Sequence, residues 1–409
     1  MARIKPFKAV RPAPDKVHLV ASRSYVSYEP EKLVEKLDSN PFTFIHIINP
    51  DYKNESNVKG GTPEMFKKVK SKYADFKEHG ILIKEKNDSL YIYQQTTPNN
   101  SYTGIIAGVS VSDYKAKVIK IHESTLEKRE KLFTDYLDHV DFNAEPVLLA
   151  HEKNETLTAL ISKVKEKTAV YNFSTTDKYK HTLWRVDSIN EISAFQNALL
   201  SVKNLYIADG HHRSASSVNL GIQKNNLNPN ANSNWFLAML TQEDEMRISG
   251  FHRLIRGIDR TESDQIIRKI NEEFDLESIT TDVYTPNQGE IHVYYFGTGW
   301  AKLKLNKIDS NSPKDQIDAE KLSAQILEPH AGILDLKNDS RIKFIPDSVD
   351  LVELTKQLDN GNDILFLLAP VTFSQLKSVA DADEFMPPKS TYIEPKLRSG
   401  LTIFEISDE

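Results

Sequence analysis

Apolar residues recur along the chain in two rhythms. From Thr62 to His79 they fall at helical spacing (Met65, Phe66, Val69, Tyr73, Phe76), between a Thr-Pro-Glu opening and Gly80. That pattern predicts an amphipathic helix with a capped start and a glycine stop. Helices are likewise predicted over Glu29–Leu37, where Pro30 suits a first turn, from His122 through HESTLEKREKLFTDYLDHV, and over Ser188–Leu200. Further helices are predicted near 263–274, 318–327, 348–358 and 372–380. Shorter apolar or alternating runs predict strands at Phe42–Ile48, Ile81–Lys84, Leu90–Thr96, Thr103–Ser112, Glu145–Ala150, Thr182–Val186 and Trp235–Thr241. The same reading places strands near 291–296, 301–305, 363–368 and 401–406, while asparagine-rich Gly221–Asn234 reads as loop. Strands and helices interleave throughout, so the expected class is α/β or mixed α+β.

The chain has 409 residues, which fits two domains better than one core. The boundary is expected near 240–260, giving 1–245, with an insertion around 60–180, and a C-terminal α+β region over 246–409. A net charge of −6 argues against a protein that coats nucleic acid. There is no cysteine, which removes disulfides, thiolate metal sites and cysteine nucleophiles together. The first residues carry no apolar stretch of the secretory kind, and the longest apolar run, Ile364–Ala369, is far too short to span a bilayer. A cytoplasmic protein with no membrane partner is expected; oligomeric state is not readable.

Chemistry concentrates at Asn204–Ser217, NLYIADGHHRSASS. If Leu205–Ala208 is a buried strand, Asp209 and Gly210 make the turn and a helix starts at His211 or His212. A helix start exposes unpaired N–H groups and partial positive charge. Gly210 permits close backbone approach; His211, His212 and Arg213 add donors, and Ser214 a hydroxyl, so the turn suits phosphate. Asp209 suits either a magnesium ligand or a partner for His211; a plain helix cap flanked by satisfied histidines is the structural alternative. Zinc is disfavoured because adjacent side chains on a helix do not face each other.

Three other clusters stand out. In His122, Glu123, Thr125 and Arg129, Thr125 is the expected helix cap, with Arg129 one turn further on. Glu123 suits a general base or a magnesium ligand, and a solvated charged helix start explains the group equally well. In MPPKSTYIEPKLRSGL, from Met386, two prolines precede Lys389 and Ser390, and Lys396 and Arg398 share a side if extended. A phosphate-facing loop or a charge-protected edge strand would look alike here. His252 and Arg253, set among apolar residues, read as structural.

HESTLEKR, LWRVDS, LYIADGHHRSAS, ILEPHAGI and MPPKSTYIEPKLRSGL occur together and in this order. In this the chain resembles the domain-of-unknown-function family 1015 over nearly its whole length, from IKPFKAVRP onward. That family looks related to the ParB/sulfiredoxin superfamily, which implies a ParB/sulfiredoxin-like core. The resemblance implies that Gly210, His211, His212 and Arg213 bind nucleotide phosphates. It also implies kinship with free serine kinases, which use ATP or ADP and a glutamate base. Sulfiredoxin chemistry itself needs a cysteine, which is absent. Relatives often carry Pro-Pro-Tyr-Asp near the N-terminus, whereas this chain has SRSYVSYEP from Ser22, without the aspartate.

The expected function is therefore a nucleotide-dependent phosphotransferase using ATP or ADP with Mg2+ on a small hydroxyl metabolite, with serine as one candidate. Glu123 and Asp209 are the expected catalytic and metal-binding carboxylates. Gly210, His211, His212, Arg213, Ser214, His122, Thr125, Arg129, Lys389, Ser390 and Lys396 are the expected nucleotide contacts. The alternative is a non-catalytic nucleotide-binding regulator.

Overall fold

The computed structural model describes residues 1–24, 28–52, 60–280, 285–295, 299–358 and 362–408. Tyr25–Ser27 of the SRSYVSYEP segment and Phe296 of the expected strand 291–296 lie outside the described residues. Two compact units divide the chain. The first comprises Met1–Lys120, Ser124–Met246 and Pro395–Glu409; the second comprises Ile121–Glu123 and Arg247–Glu394. Each combines sheets with helices, a mixed α+β architecture.

The first unit is built on a mixed sheet with nine strands among the described residues. Their order is Ile119–Lys120, Leu205–Asp209, Val147–His151, Trp235–Gln242, Ser101–Ser110, Leu90–Thr96, Lys180–Val186, Tyr171–Ser174, with Ile4–Lys5 pairing on Ser101–Ser110. The pairs Leu205–Asp209 with Ile119–Lys120 and Trp235–Gln242 with Val147–His151 are parallel; the others are antiparallel. Ser101–Ser110 is buried at every position after the first, as expected of a strand covered on both faces.

The periodic helix forms over Pro63–Glu78, where the Thr62 hydroxyl accepts the Met65 N–H. Its buried face (Phe66, Val69, Tyr73, Phe76) joins Phe44, Ile47, Phe142 and Ile403 in one apolar cluster. The expected strand Phe42–Ile48 is instead a short helix, Ile45–Ile48. Phe44 and Ile47 are both fully buried against the same cluster, and residues three apart share a side only in a helix. The expected loop Gly221–Asn234 is also partly helical, because the helix that starts at His211 continues to Lys224.

The last stretch of chain is fixed into this unit. Phe404–Glu405 pairs with Phe142–Asn143. Gly400 has φ 77°, and a Cβ there would lie 2.5 Å from the Phe44 ring, so only glycine fits.

The second unit holds a six-stranded antiparallel sheet among the described residues, ordered Glu277–Ser278, Gly299–Lys304, Glu290–Tyr295, Ile364–Leu368, Phe251–Ile255, Ile342–Pro346. Leu254, Leu351, Leu358, Leu365 and Leu367 form one of its apolar clusters. The helix expected over 318–327 runs from Asp318 to Ala331 and opens into a π turn at Ser323–Leu327, just ahead of Pro329. Arg253 is wholly buried. Its guanidinium donates to the carbonyls of Phe251, Pro388 and Lys389 and lies over the Phe344 ring. Arg247–Ser249 and Tyr392–Glu394 pair antiparallel, so this unit's main excursion starts and finishes in neighbouring strands. No helix among the described residues is long and apolar enough to cross a membrane.

Candidate functional site: a charged turn at a strand-to-helix junction

Strand Leu205–Asp209 runs into the helix His211–Lys224 through a single residue, Gly210. Its φ of 101° lies in the region that favours glycine. A Cβ there would also meet the Arg213 guanidinium at 2.9–3.2 Å. Gly210 therefore both turns the chain and lets Arg213 lie flat against the turn. The strand is irregular just before it: Tyr206 pairs with Ala150 and Ile207 with Leu149, but Leu148 pairs with Asp209. Ala208 is the extra residue of a bulge, a device that re-aims the side chain that follows.

That side chain is Asp209, held by two cations. Lys396 Nζ donates to Oδ1 at 2.5 Å and Arg213 Nη2 to Oδ2 at 2.9 Å. Arg213 also donates through Nη1 to Glu145 and through Nη2 to the Pro146 carbonyl at 3.3 Å. Glu145 in turn accepts the Ser399 hydroxyl at 2.9 Å. Burial alone would raise the Asp209 pKa, but the Lys396 and Arg213 charges overcome it and hold the carboxyl well below the usual range. Arg213 Nε is buried without a hydrogen-bond partner among the described residues.

The two histidines have separate tasks. His211 is buried, and that burial pulls its pKa down to about 4, partly opposed by Asp209, so the ring is neutral near pH 7. His212 Nε2 accepts the Leu126 N–H at 3.2 Å, which puts the ring proton on Nδ1. Its pKa is lowered by burial and then by the Arg129 charge. The helix expected within HESTLEKREKLFTDYLDHV starts at Glu127, with no side-chain cap on its first turn. Thr125 is not that cap, because its hydroxyl donates to Glu130. Arg129 is exposed on the same helix start, close enough for its charge to act on His212.

Other expected contacts have partners of their own. Ser214 is wholly buried and its hydroxyl donates to the His211 carbonyl at 2.9 Å, a backbone partner rather than an open one. His122 and Glu123 belong to the second unit, where His122 is buried and its carbonyl accepts the Met386 N–H. Lys389 and Ser390 also belong to the second unit. Lys389 has φ 56°, with Nζ over the Phe251 ring, and the buried Ser390 hydroxyl donates to the Pro387 carbonyl.

Both Asp209 oxygens are engaged by cations, so a magnesium ion at this carboxylate would have to displace Lys396 or Arg213. The two cations Arg213 and Lys396 face the two carboxylates Asp209 and Glu145, so the cluster is balanced within itself. Ser399 belongs to the MPPKSTYIEPKLRSGL motif without being among the expected contacts, and Glu145 belongs to no motif. The antiparallel pairing of Val147–His151 with Leu205–Asp209 would have pointed to Glu145, since the first strand begins where the second ends.

The solved structures similar to this chain include the following three. A C-terminally truncated SbnI from Staphylococcus aureus is 13% identical, with 71% of this chain and 82% of that chain covered and a TM-score of 0.38. A mutant free serine kinase in complex with ADP is 13% identical over 73% of this chain and 91% of that one, with a TM-score of 0.36. A conserved hypothetical protein from Pyrococcus furiosus is 12% identical over 71% and 90%, with a TM-score of 0.33. No curated protein matches. The family model described as "Protein of unknown function (DUF1015)" matches residues 4–328, and the chain belongs to that family.

Proposed function

We propose that the chain is a nucleotide-dependent phosphotransferase acting on a small hydroxyl metabolite, with the nucleotide phosphates seated at the start of the helix His211–Lys224. One observation carries this reading: Arg213 and Lys396 converge on the strand-to-helix turn, where Gly210 lets the guanidinium lie against the backbone. First-turn N–H groups lack helical carbonyl partners and, with an arginine beside them, suit a phosphate. Phosphoryl transfer asks a protein mainly for positioning and charge stabilisation. Asp209 and Glu145 hold the guanidinium in place. The sequence resemblance to a superfamily that binds nucleotides at this turn supports the same reading.

A second reading draws on the charge balance. Arg213 and Lys396 are already matched by Asp209 and Glu145, so an arriving phosphate must displace one of these contacts. A turn with little spare positive charge fits a regulator that binds nucleotide without transferring its phosphate.

One experiment separates the two. ATP or ADP, with magnesium, is incubated with the protein and a panel of hydroxyl metabolites that includes serine, and nucleotide conversion is followed by phosphorus NMR. Turnover with any metabolite supports the phosphotransferase. Tight binding with no turnover leaves the regulator, and absence of nucleotide binding removes both. Arg213→Ala should weaken nucleotide binding while the protein stays folded.

A further inference from the structure

The helix His211–Lys224 carries the charged turn at its start and runs out into an asparagine-rich loop. Asn225 closes it in the left-handed region, at φ 43°, with its N–H on the Gly221 carbonyl. Its 14 residues span about 21 Å, so a group beside its last turn is well separated from the charged turn.

The loop is organised around internal donors. Asn234 Nδ2 donates to the Asn226 and Asn228 carbonyls at 2.9 and 2.8 Å, Trp235 Nε1 to the Pro229 carbonyl at 3.0 Å, and Lys5 Nζ to the Asn230 carbonyl. The side-chain oxygens of Asn226 and Asn228 accept the N–H groups of Asn228 and Asn230, both at 3.0 Å. These acceptors are thus satisfied within the fold, and the amide nitrogen of Asn226 is left as a donor.

Between this loop and the start of the chain, within the first unit, lies a cleft of about 430 Å³, in the size range of small-molecule sites. Arg3, Lys115, Ile222, Asn226 and Trp235 line it, and none of its lining residues among those described is acidic. Arg3 is preset. Asp113, buried behind it, accepts the Arg3 N–H and Nε at 2.8 and 2.9 Å, and Nη2 donates to the Ser110 hydroxyl at 3.1 Å. Nη1 has no partner among the described residues, and the side chain is half exposed. Lys115 is exposed, also without an ion-pair partner among the described residues. Asp113 balances one of these two cations, so the cleft keeps a positive charge that nothing in its lining offsets. Beside that charge lies apolar surface. Ile222 is 48% exposed, and the half-buried Trp235, its N–H already engaged by Pro229, offers the apolar body of its ring.

We infer that this cleft is a binding site for a small organic acid with one carboxylate and an aromatic body, separate from the charged turn. Arg3 Nη1 and Lys115 take the carboxylate, the guanidinium giving direction and the ammonium charge. Trp235 and Ile222 cover the ring. Inorganic anions lack the body that this apolar surface would cover, and neutral alcohols lack the charge. At its distance from the turn, the occupant is a second ligand and not the acceptor of a phosphate held there.

The test is titration calorimetry and proton–nitrogen NMR on the whole protein, with phenylacetate, acetate, benzyl alcohol, benzylamine and inorganic phosphate as probes. Phenylacetate should bind about tenfold more tightly than acetate, phosphate or benzyl alcohol, and benzylamine should not bind. The chain has three tryptophans, and the indole N–H signal lost in Trp235→Phe should be the one that phenylacetate shifts. Lys115→Gln and Ile222→Ser change exposed side chains and should keep the fold. The first should weaken phenylacetate binding about tenfold and the second about threefold, while Lys115→Arg should restore it. Arg213→Ala should leave phenylacetate affinity unchanged whether or not it alters ADP binding, so the cleft and the nucleotide reading stand or fall apart. No binding of phenylacetate, equal affinity for benzyl alcohol, acetate or phosphate, an unmoved Trp235 signal, or indifference to both Lys115→Gln and Ile222→Ser would each overturn the site. Loss of phenylacetate binding in Arg213→Ala would place the ligand at the turn and overturn it too.

Discussion

Replacing Gly210 by alanine separates two effects that meet at one atom. The first is backbone. At φ 101° an L-residue with a Cβ is disfavoured, at a cost of about 1–2 kcal/mol. The second is steric. The new methyl would sit 2.9–3.2 Å from the Arg213 guanidinium, so that group must shift and loosen its bonds to Asp209 and Glu145. All three side chains are a fifth to a third exposed, so the pairs are partly screened and this part adds only about 1 kcal/mol. The sum, about 2–3 kcal/mol, corresponds to a fall of roughly 4–12 °C in the melting temperature of a unit of this size. The assay is thermal unfolding of the wild type, Gly210→Ala, Arg213→Ala and the double variant. In the double variant the backbone cost remains and the steric cost disappears, so the two changes should be non-additive by about 1 kcal/mol. Gly210→Ala should also weaken nucleotide binding by displacing Arg213. A melting temperature unchanged to within a degree would refute the argument that glycine is required there, and strict additivity would refute the contact with Arg213.

Three further outcomes are expected. Asp209→Asn should destabilise the protein by about 1–2 kcal/mol at neutral pH, from two partly exposed charge-assisted hydrogen bonds. Because the folded pKa of Asp209 is depressed, the gap between wild type and variant should hold above the unfolded carboxylate pKa of about 3.9 and close as pH falls below it; urea titrations from pH 7 to 2.5 check this, and a gap that persists at the acid end contradicts it. His212 is neutral in the fold with a lowered pKa, so its contribution is present above an unfolded value of about 6.5 and is lost as pH drops through and below it. The protection of the Leu126 amide, its exchange rate referred to the intrinsic rate at each pH, should fall on acidification in the wild type but not in His212→Ala, and an imidazole that carries its proton on Nε2 by NMR would rule this out. Arg253→Met should cost about 2–4 kcal/mol by leaving the buried carbonyls of Phe251, Pro388 and Lys389 with fewer donors; a chemical denaturation midpoint equal to wild type would show that the arginine is dispensable.

The helix Pro63–Glu78 and the junction Leu205–His211 are readable residue by residue, because periodicity, a capping threonine and an aspartate–glycine turn are local signals. Phe42–Ile48 is not, since a short apolar run fits either element and only its packing on Val69, Tyr73 and Phe76 decides. The hydrogen bond from the Leu126 N–H to His212 joins residues 86 positions apart and has no local signal. The site divides in the same way. Asp209, Gly210 and Arg213 are adjacent in the chain and announce themselves. Glu145 and Ser399 are ordinary polar residues whose roles arise from strand pairing and from the return of the chain to the first unit. The partnership of Arg398 with Asp177 is hidden for the same reason, with 221 positions between them.

Lys396 meets Asp209 across 187 positions of sequence. At synthesis rates of roughly 5–20 residues per second, that interval is about 10–40 seconds on the ribosome. Throughout it, Asp209 and Glu145 share Arg213 as their cation while the second unit is still being made. The turn is thus completed late, and a nascent chain halted before Lys396 would carry the DGHHR sequence with an excess of negative charge around it. If the turn binds an anion as proposed, its affinity would differ between chains made as far as Lys396 and chains that stop short of it.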